Sequence, residues 1–517
     1  MKRSLSLFLF VAIALLICMP SMADDTNKVT IGVSIDSMEV KADSLSFGHF
    51  IKNVQTAPGA EYILLKLHDT TKNGKYFKNK GEFGVLNLED HKLRWKKPYN
   101  MLASDIHCCK AGVVVVTYHT EVTMFNPVTG EECWKTKFFP VQFDDSTNIV
   151  LGYKNIWSSE LSGYDLSTGE KKWTVNLPHK KNWGWNNVVR EDSVHWLIVA
   201  DNLNRLNIQT GELFTYEAKT GVADVKRTLL LDSQRHYSPL YPTGAVSQRA
   251  VSRLHSNVLC DDSLYYFADR QNVVALDSTM NVVWSYSLPP KTAAFSQLIC
   301  NDSTLYMFSL GYGLLDGYKR QKMGRPFVAT FDKCTGDCRF MNMLSVKKDI
   351  VEDAVLESDG ILMLFDDGLA YKHDLNDSTV TVSPWDVKKY GKLCGFCKDV
   401  FYAYYHLKNM FDVISYDGNS FPVVTENSNI YVVDRNLRVS DNYPVYSLYK
   451  PVMMIGDRMC VKSVVNEVRD VWLTTIQGVP EIKLTVPVLG MDVIQNKLYL
   501  CNYDCLYCLP LDDSVTK

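Results

Sequence analysis

The chain is predicted to be all-β: a β-propeller of four-stranded blades, eight in number with seven as the alternative, closed into a ring by an N-terminal strand. Three observations predict it. A hairpin signature recurs at near-constant spacing. The strands around it are rich in β-branched and aromatic residues. No long amphipathic helix pattern appears beyond residue 24.

The signature comes first. Residues 86–95, 125–134 and 164–173 align on their turns, with Asn87, Asn126 and Asp165 each leading a tryptophan by eight positions. Trp95, Trp134 and Trp173 are therefore 39 residues apart. Asn207 keeps the turn but puts Thr215 at the tryptophan position, Asp332 puts Phe340 there, and Asp277 leads Trp284 by one residue fewer. Asn or Asp opens such a turn by accepting from its own backbone two residues on. Gly130, Gly169, Gly211 and Gly336, four positions later, supply a residue tolerant of positive φ. The terminal aromatic is expected to pack between neighbouring sheets.

The strands follow. Residues 112–118 are an almost unbroken β-branched run, and further turn-fed apolar strands begin near residues 262, 302, 359 and 496. The strand at 29–35 is expected to join the last strands at 498–509 and close the ring, which removes a free sheet edge. Two insertions, 233–256 and 311–326, break the spacing, and residues 388–487 are too degenerate to partition. Inserted loops of this length often carry function.

The N-terminus has the features of a targeting signal. Lys2 and Arg3 precede an apolar run from residue 5 to 17, and the small residues before Asp24 predict cleavage after Ala23. The expected division is thus a signal peptide at 1–23 and one propeller domain at 24–517, exported to the periplasm or the cell exterior. No later segment is long and apolar enough to span a bilayer as a helix. Without residues 1–23, 53 basic residues face 58 acidic ones. That near balance argues against nucleic-acid binding and against a polybasic membrane surface.

The hairpins at 126–134 and 165–173 resemble the repeat of the PQQ-like β-propellers, a superfamily that includes the quinoprotein alcohol dehydrogenases. It also includes non-catalytic members, such as the propeller lipoprotein of the outer-membrane barrel assembly machinery. The resemblance covers most of the mature chain as architecture. It implies the fold. For the dehydrogenases it also implies PQQ with calcium, and a disulfide between adjacent cysteines packed on the quinone, for which Cys108 and Cys109 are the matching pair. The calcium ligands and the base of that site have no recognisable counterparts here, so a non-catalytic member without a cofactor is the expectation.

Fourteen cysteines are present, thirteen of them after Cys18. Disulfides are the default in an exported chain. Cys334 and Cys338 flank a turn and are expected to be bridged; Cys394/Cys397 and Cys505/Cys508 are the other close pairs, with a four-thiolate zinc site as their alternative. Neither C-x-x-C is followed by histidine, which excludes the usual covalent haem motif. Arg235, Arg249, Arg253, Arg320 and Arg325 in the insertions are candidates for contact with an anionic ligand or partner, against the plainer reading of solvated loop charges. Trp183 and Trp185 are candidates for stacking on a sugar or for packing between blades. Asn301 and Asn376 sit in glycosylation sequons.

Three functions remain, in this order: a binding or assembly scaffold in the cell envelope with a protein partner, a PQQ-dependent dehydrogenase, and a carbohydrate-binding or carbohydrate-cleaving propeller. No nucleophile elbow, P-loop, dinucleotide fingerprint or zincin motif accompanies them.

Overall fold

In a computed structural model the chain is described over residues 27–511, apart from 72–76, 180–184, 186, 219–255, 262, 270, 291, 293–294, 316–318, 345–349, 357–359, 375–378, 397–400, 406–409, 415–419, 428, 440–447 and 464–465.

Seven separate sheets have four antiparallel strands each: sheet 1 (50–100), sheet 2 (104–137), sheet 3 (139–176), sheet 4 (187–216), sheet 5 (259–287), sheet 6 (296–343) and sheet 7 (351–382). Strand order follows the sequence. Among the described residues only sheet 6 is interrupted, by a two-stranded hairpin, Tyr312–Leu315 with Lys319–Lys322, so the second insertion has structure of its own. A three-stranded sheet follows, Leu393–Phe396 with Ser420–Thr425 and Ile430–Asp434. The last sheet has eleven strands and contains two more four-stranded runs: 448–484, and 490–510 completed by Glu39–Ser46.

The inner strands explain the composition. Ile149–Tyr153, Asn272–Leu276 and Gly360–Phe365 are buried at every position. Each is covered on both faces by neighbouring sheets, so it reads as a continuous apolar run rather than an alternation. Successive sheets share cores. Leu64 and Val85 of sheet 1 pack with Val113 of sheet 2. Val114 of sheet 2 meets Val150 of sheet 3, and Leu151 of sheet 3 meets Ile198 of sheet 4. Leu197 joins Phe267, Val273 joins Phe331, and Phe308 joins Ile361 down the series. Leu506 at the C-terminal end packs with Ile63 of sheet 1, which brings the two ends of the series together.

The N-terminal pairing differs from expectation by one strand. Asn27–Ser34 pairs with Pro480–Leu484, whereas Glu39–Ser46 is the strand beside Cys505–Pro510. The N-terminus therefore enters as a hairpin spanning two sheet units. Gly32 permits this: a Cβ there would lie 2.8 Å from the Lys483 carbonyl oxygen.

The repeated turn forms as its chemistry dictates. Asn126 Oδ1 accepts from the backbone N–H of Val128 at 2.8 Å and Thr129 at 3.0 Å, and Gly130 has φ +73°. The tryptophan has a partner that the repeat alignment hides. Trp134 Nε1 donates to the Leu166 carbonyl at 3.0 Å, in the next sheet, and its ring lies against Gly169. Trp95 docks in the same way on Gly130 through Pro127, Trp173 on Gly211 through Ile208, and Trp284 on Gly336 through Lys333. The signature thus joins a tryptophan in one repeat to a glycine in the following one.

This accounts for the altered copies. Thr215 has no indole to dock; it bonds Asn204 in its own sheet at 3.0 Å. The turn that would receive an indole there, 277–281, has Met280 at positive φ and no glycine. Phe340 stacks on His373 instead, at 6.2 Å. Restoring the consensus with Thr215→Trp is therefore expected to destabilise the protein, by about 1–3 kcal/mol, because the buried Asn204 Oδ1 loses its hydroxyl donor and no glycine surface awaits the ring. A denaturant midpoint at or above that of the parent protein would contradict this.

Candidate functional site

A groove of about 460 Å³ runs between the first strands of sheets 2 and 3, Ser104–Cys109 and Phe139–Asp144. Asp105, His107, His119, Gln142, Phe143 and Asp145 line it. The His107 ring lies 4.7 Å from that of Phe143. Burial, then Lys66, holds the His107 pKa down, so the ring is neutral near pH 7. Burial pushes the Asp145 carboxyl up, against the opposing effect of the Lys110 N–H bonded to it at 2.7 Å. The groove thus offers hydrogen-bonding groups and one aromatic face. Among the described residues no three His, Cys, Asp or Glu side chains gather as a metal site.

Cys108 and Cys109 end the first of these strands. Adjacent strand residues point to opposite faces. Cys108 packs in the layer between sheets 1 and 2, and Cys109 in the layer between sheets 2 and 3. Tyr62 OH donates to the Cys109 carbonyl at 2.6 Å, fixing the strand end. Burial raises both thiols, Cys108 to about 12, so both are protonated at neutral pH. The two thiols lie in different layers, and both residues also line the groove between sheets 2 and 3.

The remaining cysteine candidates are also thiols; all twelve described cysteines are. Cys334 is exposed in its turn, while the register sets Phe331, not Cys334, opposite Cys338. Cys505 and Cys508 are three residues apart on one strand and face different cores. Cys394 is exposed, and Cys397 lies outside the described residues. Under native conditions a thiol reagent is expected to label Cys133, Cys260, Cys334 and Cys394 while sparing Cys109, Cys460, Cys501 and Cys508 until unfolding. Peptide mapping of non-reduced protein checks this, and an unlabelled Cys334 paired with Cys338 would overturn it.

Of the arginines, Arg235, Arg249 and Arg253 lie outside the described residues. Arg320 is on the inserted strand Lys319–Lys322, and Arg325 is exposed just beyond it. The inserted hairpin is anchored to the body: Phe295 stacks on Tyr312 at 5.9 Å, and Lys322 Nζ bonds Asp366 of sheet 7 at 2.6 Å. Trp183 lies outside the described residues; Trp185 packs between sheets, donating to Tyr153 OH at 2.9 Å. Asn301 caps its turn by accepting from Thr304 N–H at 2.9 Å, and Asn376 is outside the described residues.

Topology sorts these features. In a sheet of sequential antiparallel strands, the turns after the first and third strands share one end. The turn after the second strand and the link to the next sheet share the other. The first end has short turns, including every Thr-Gly turn. The second end has the hairpin at 312–322 and the helix Val387–Tyr390, and the described residues that flank 180–184 and 219–255 lie there too. Both insertions noted from sequence therefore leave from the same end.

That end also has exposed apolar side chains that sequence reasoning missed. Leu102 is 76% exposed and Tyr118 73%, joined through the Tyr118 N–H to Ala103 carbonyl bond of 2.7 Å. Tyr118 and His119 have consecutive positive φ values of 49° and 62°, where Asn-Gly is the unstrained choice. A Tyr-His pair at a two-residue turn was the available signal.

No family model matches the sequence, and no curated protein matches it. Among solved structures, BamB from Moraxella catarrhalis is 13% identical, covering 76% of this chain and 98% of that one at a TM-score of 0.31. The computationally designed Ika8 protein is 11% identical, covering 74% of this chain and 96% of its own at a TM-score of 0.31. At these values neither assigns a family or a function.

Proposed function

We propose that the chain is an exported, PQQ-like β-propeller without a cofactor that serves as a binding or assembly scaffold for a protein partner in the cell envelope. Eight four-stranded units lie outside 388–487 when the run 490–510 is completed by Glu39–Ser46, and a further four-stranded run and a three-stranded sheet lie within that stretch. That stretch resists partition by eye in the sequence. The N-terminal hairpin closes the ring.

The observation that carries the scaffold reading is the asymmetry of the two ends. Short turns are what a repeat needs to fold; elaboration confined to one end is what selection for contact leaves behind. The Tyr312–Lys322 hairpin is pinned by Phe295 and Asp366, so it is a rigid feature rather than a passive extension. Replacing residues 313–321 by a short turn, with Tyr312, Lys322 and sheet 6 otherwise intact, is expected to abolish capture of a crosslinked envelope partner while leaving the unfolding midpoint within about 1 kcal/mol of the parent. Undiminished capture would refute the assignment of this face. N-terminal sequencing of exported material tests the start at Asp24.

A further inference from the structure

Three gaps between successive sheets are filled in the same way beyond the docked tryptophan. The residue two positions on packs with the residue that precedes the next turn. Lys97 Nζ lies 4.9 Å over the Phe125 ring, Val175 shares a core with Leu206, and Tyr286 packs on Phe331 at 5.1 Å. Between sheets 2 and 3 the same two positions are Thr136 and Tyr164. Thr136 is short and polar, and a pocket of about 390 Å³ takes the place of the contact. It lies at the outer strands Glu132–Lys137 and Lys171–Asn176, whereas the groove of Asp105 and His107 lies at the first strands of the same sheets.

The lining is basic and rich in hydroxyls. Lys137, Lys154 and Lys171 contribute to it against one carboxylate, Glu160, which faces Lys154 at 3.9 Å. Lys171 Nζ lies 6.0 Å over the Tyr164 ring. Neighbouring lysines on the same strands are neutralised: Lys135 bonds Glu121 at 2.7 Å and Lys172 bonds Asp165 at 2.9 Å. Among the described residues no carboxylate pairs with Lys137 or Lys171. The Ser162 and Thr174 hydroxyls, bonded to each other at 2.8 Å, add to the lining.

We propose that this pocket binds a small phosphate monoester. Charge selects the anion. Three lysines against one glutamate leave a surplus of two positive charges. A phosphate monoester at neutral pH, with a charge of about −1.5 to −2, balances that surplus, whereas a singly charged sulfate ester or carboxylate does not. Lysine holds a phosphate as a point charge, and hydroxyl donors add hydrogen bonds that the charge strengthens. The volume exceeds what a bare phosphate needs and lies at the small end of ligand pockets, which fits a hydroxylated carrier the size of one sugar ring. The site does not depend on the proposed envelope partner.

Calorimetric titration of the full mature chain with glucose 6-phosphate is expected to give a Kd of about 0.1–1 mM. Inorganic phosphate and glucose 6-sulfate are each expected to bind at least about fivefold more weakly, and glucose not at all. Lys137→Gln and Lys171→Gln are each expected to weaken glucose 6-phosphate binding about fivefold or more, and the double variant to abolish it. Lys135→Gln, which removes the lysine paired with Glu121, is expected to bind as the parent does. Thr136→Tyr, which places on Tyr164 the ring that Tyr286 places on Phe331, is expected to fill the pocket and abolish binding. The lysine variants decide the matter if that variant does not fold. Parent protein that binds no glucose 6-phosphate, equal affinity for inorganic phosphate or the sulfate ester, or lysine variants that bind as the parent does would each overturn the proposal.

Discussion

Trp134→Ala is expected to cost about 3–5 kcal/mol, toward the upper part of that range. Two losses combine. The indole fills the space between sheets 2 and 3, where Val114, Val150 and Tyr164 have no room to collapse inward because each is already packed on its own strand. The Leu166 carbonyl then loses its donor in a buried site, which adds the desolvation cost of an unpaired acceptor. The four docked tryptophans are not equivalent. Trp134 and Trp284 are buried, whereas Trp95 and Trp173 are half-buried. Alanine at the first two is expected to cost more than at the second two. Urea or guanidinium midpoints for the four variants check this order, and equal shifts would contradict it.

Gly169→Ala is expected to cost about 2–5 kcal/mol in the parent protein but only about 1–2 kcal/mol once Trp134 is alanine. The glycine meets two separate demands. Its φ of +72° is costly for any residue with a Cβ, whatever surrounds it. A Cβ there would also lie 2.6 Å from the Trp134 ring, which is hemmed in by the sheet and has no flexible end to move aside. Removing the indole abolishes the second cost and leaves the first. A double-mutant cycle measures the difference as a coupling of about 1–3 kcal/mol between residues in successive repeats. Coupling within error of zero would mean that the glycine serves backbone conformation alone.

That coupling shows how far the sequence could be followed. The turns were legible because their bonds are local: Asn126, Asp165, Asn207 and Asp332 all accept from N–H groups two and three residues on, and the spacing of the side chain dictates the bond. The strands were legible because being buried on both faces leaves an unmistakable apolar run. The alternation rule also anticipated the separation of Cys108 and Cys109 into two layers. The groove beside them was not legible, because His107 and Phe143 belong to different sheets and only the packing of those sheets brings the rings to 4.7 Å.

The sequence by itself therefore determined the all-β class, the repeated hairpin and the residues that bend each turn. Each depends on interactions reaching no further than a few positions along the chain. Tertiary structure alone decided which repeat each tryptophan serves: the docking bonds join residues 32 positions apart at Trp134 and 49 apart at Trp284, where the inserted hairpin intervenes. It likewise decided that the N-terminus enters as a hairpin rather than a single strand, and that both insertions leave from one end of the sheets. These are consequences of packing between sheets. A glycine missing from the turn at 277–281 and a tryptophan missing at 215 become one event only when those two sheets lie side by side.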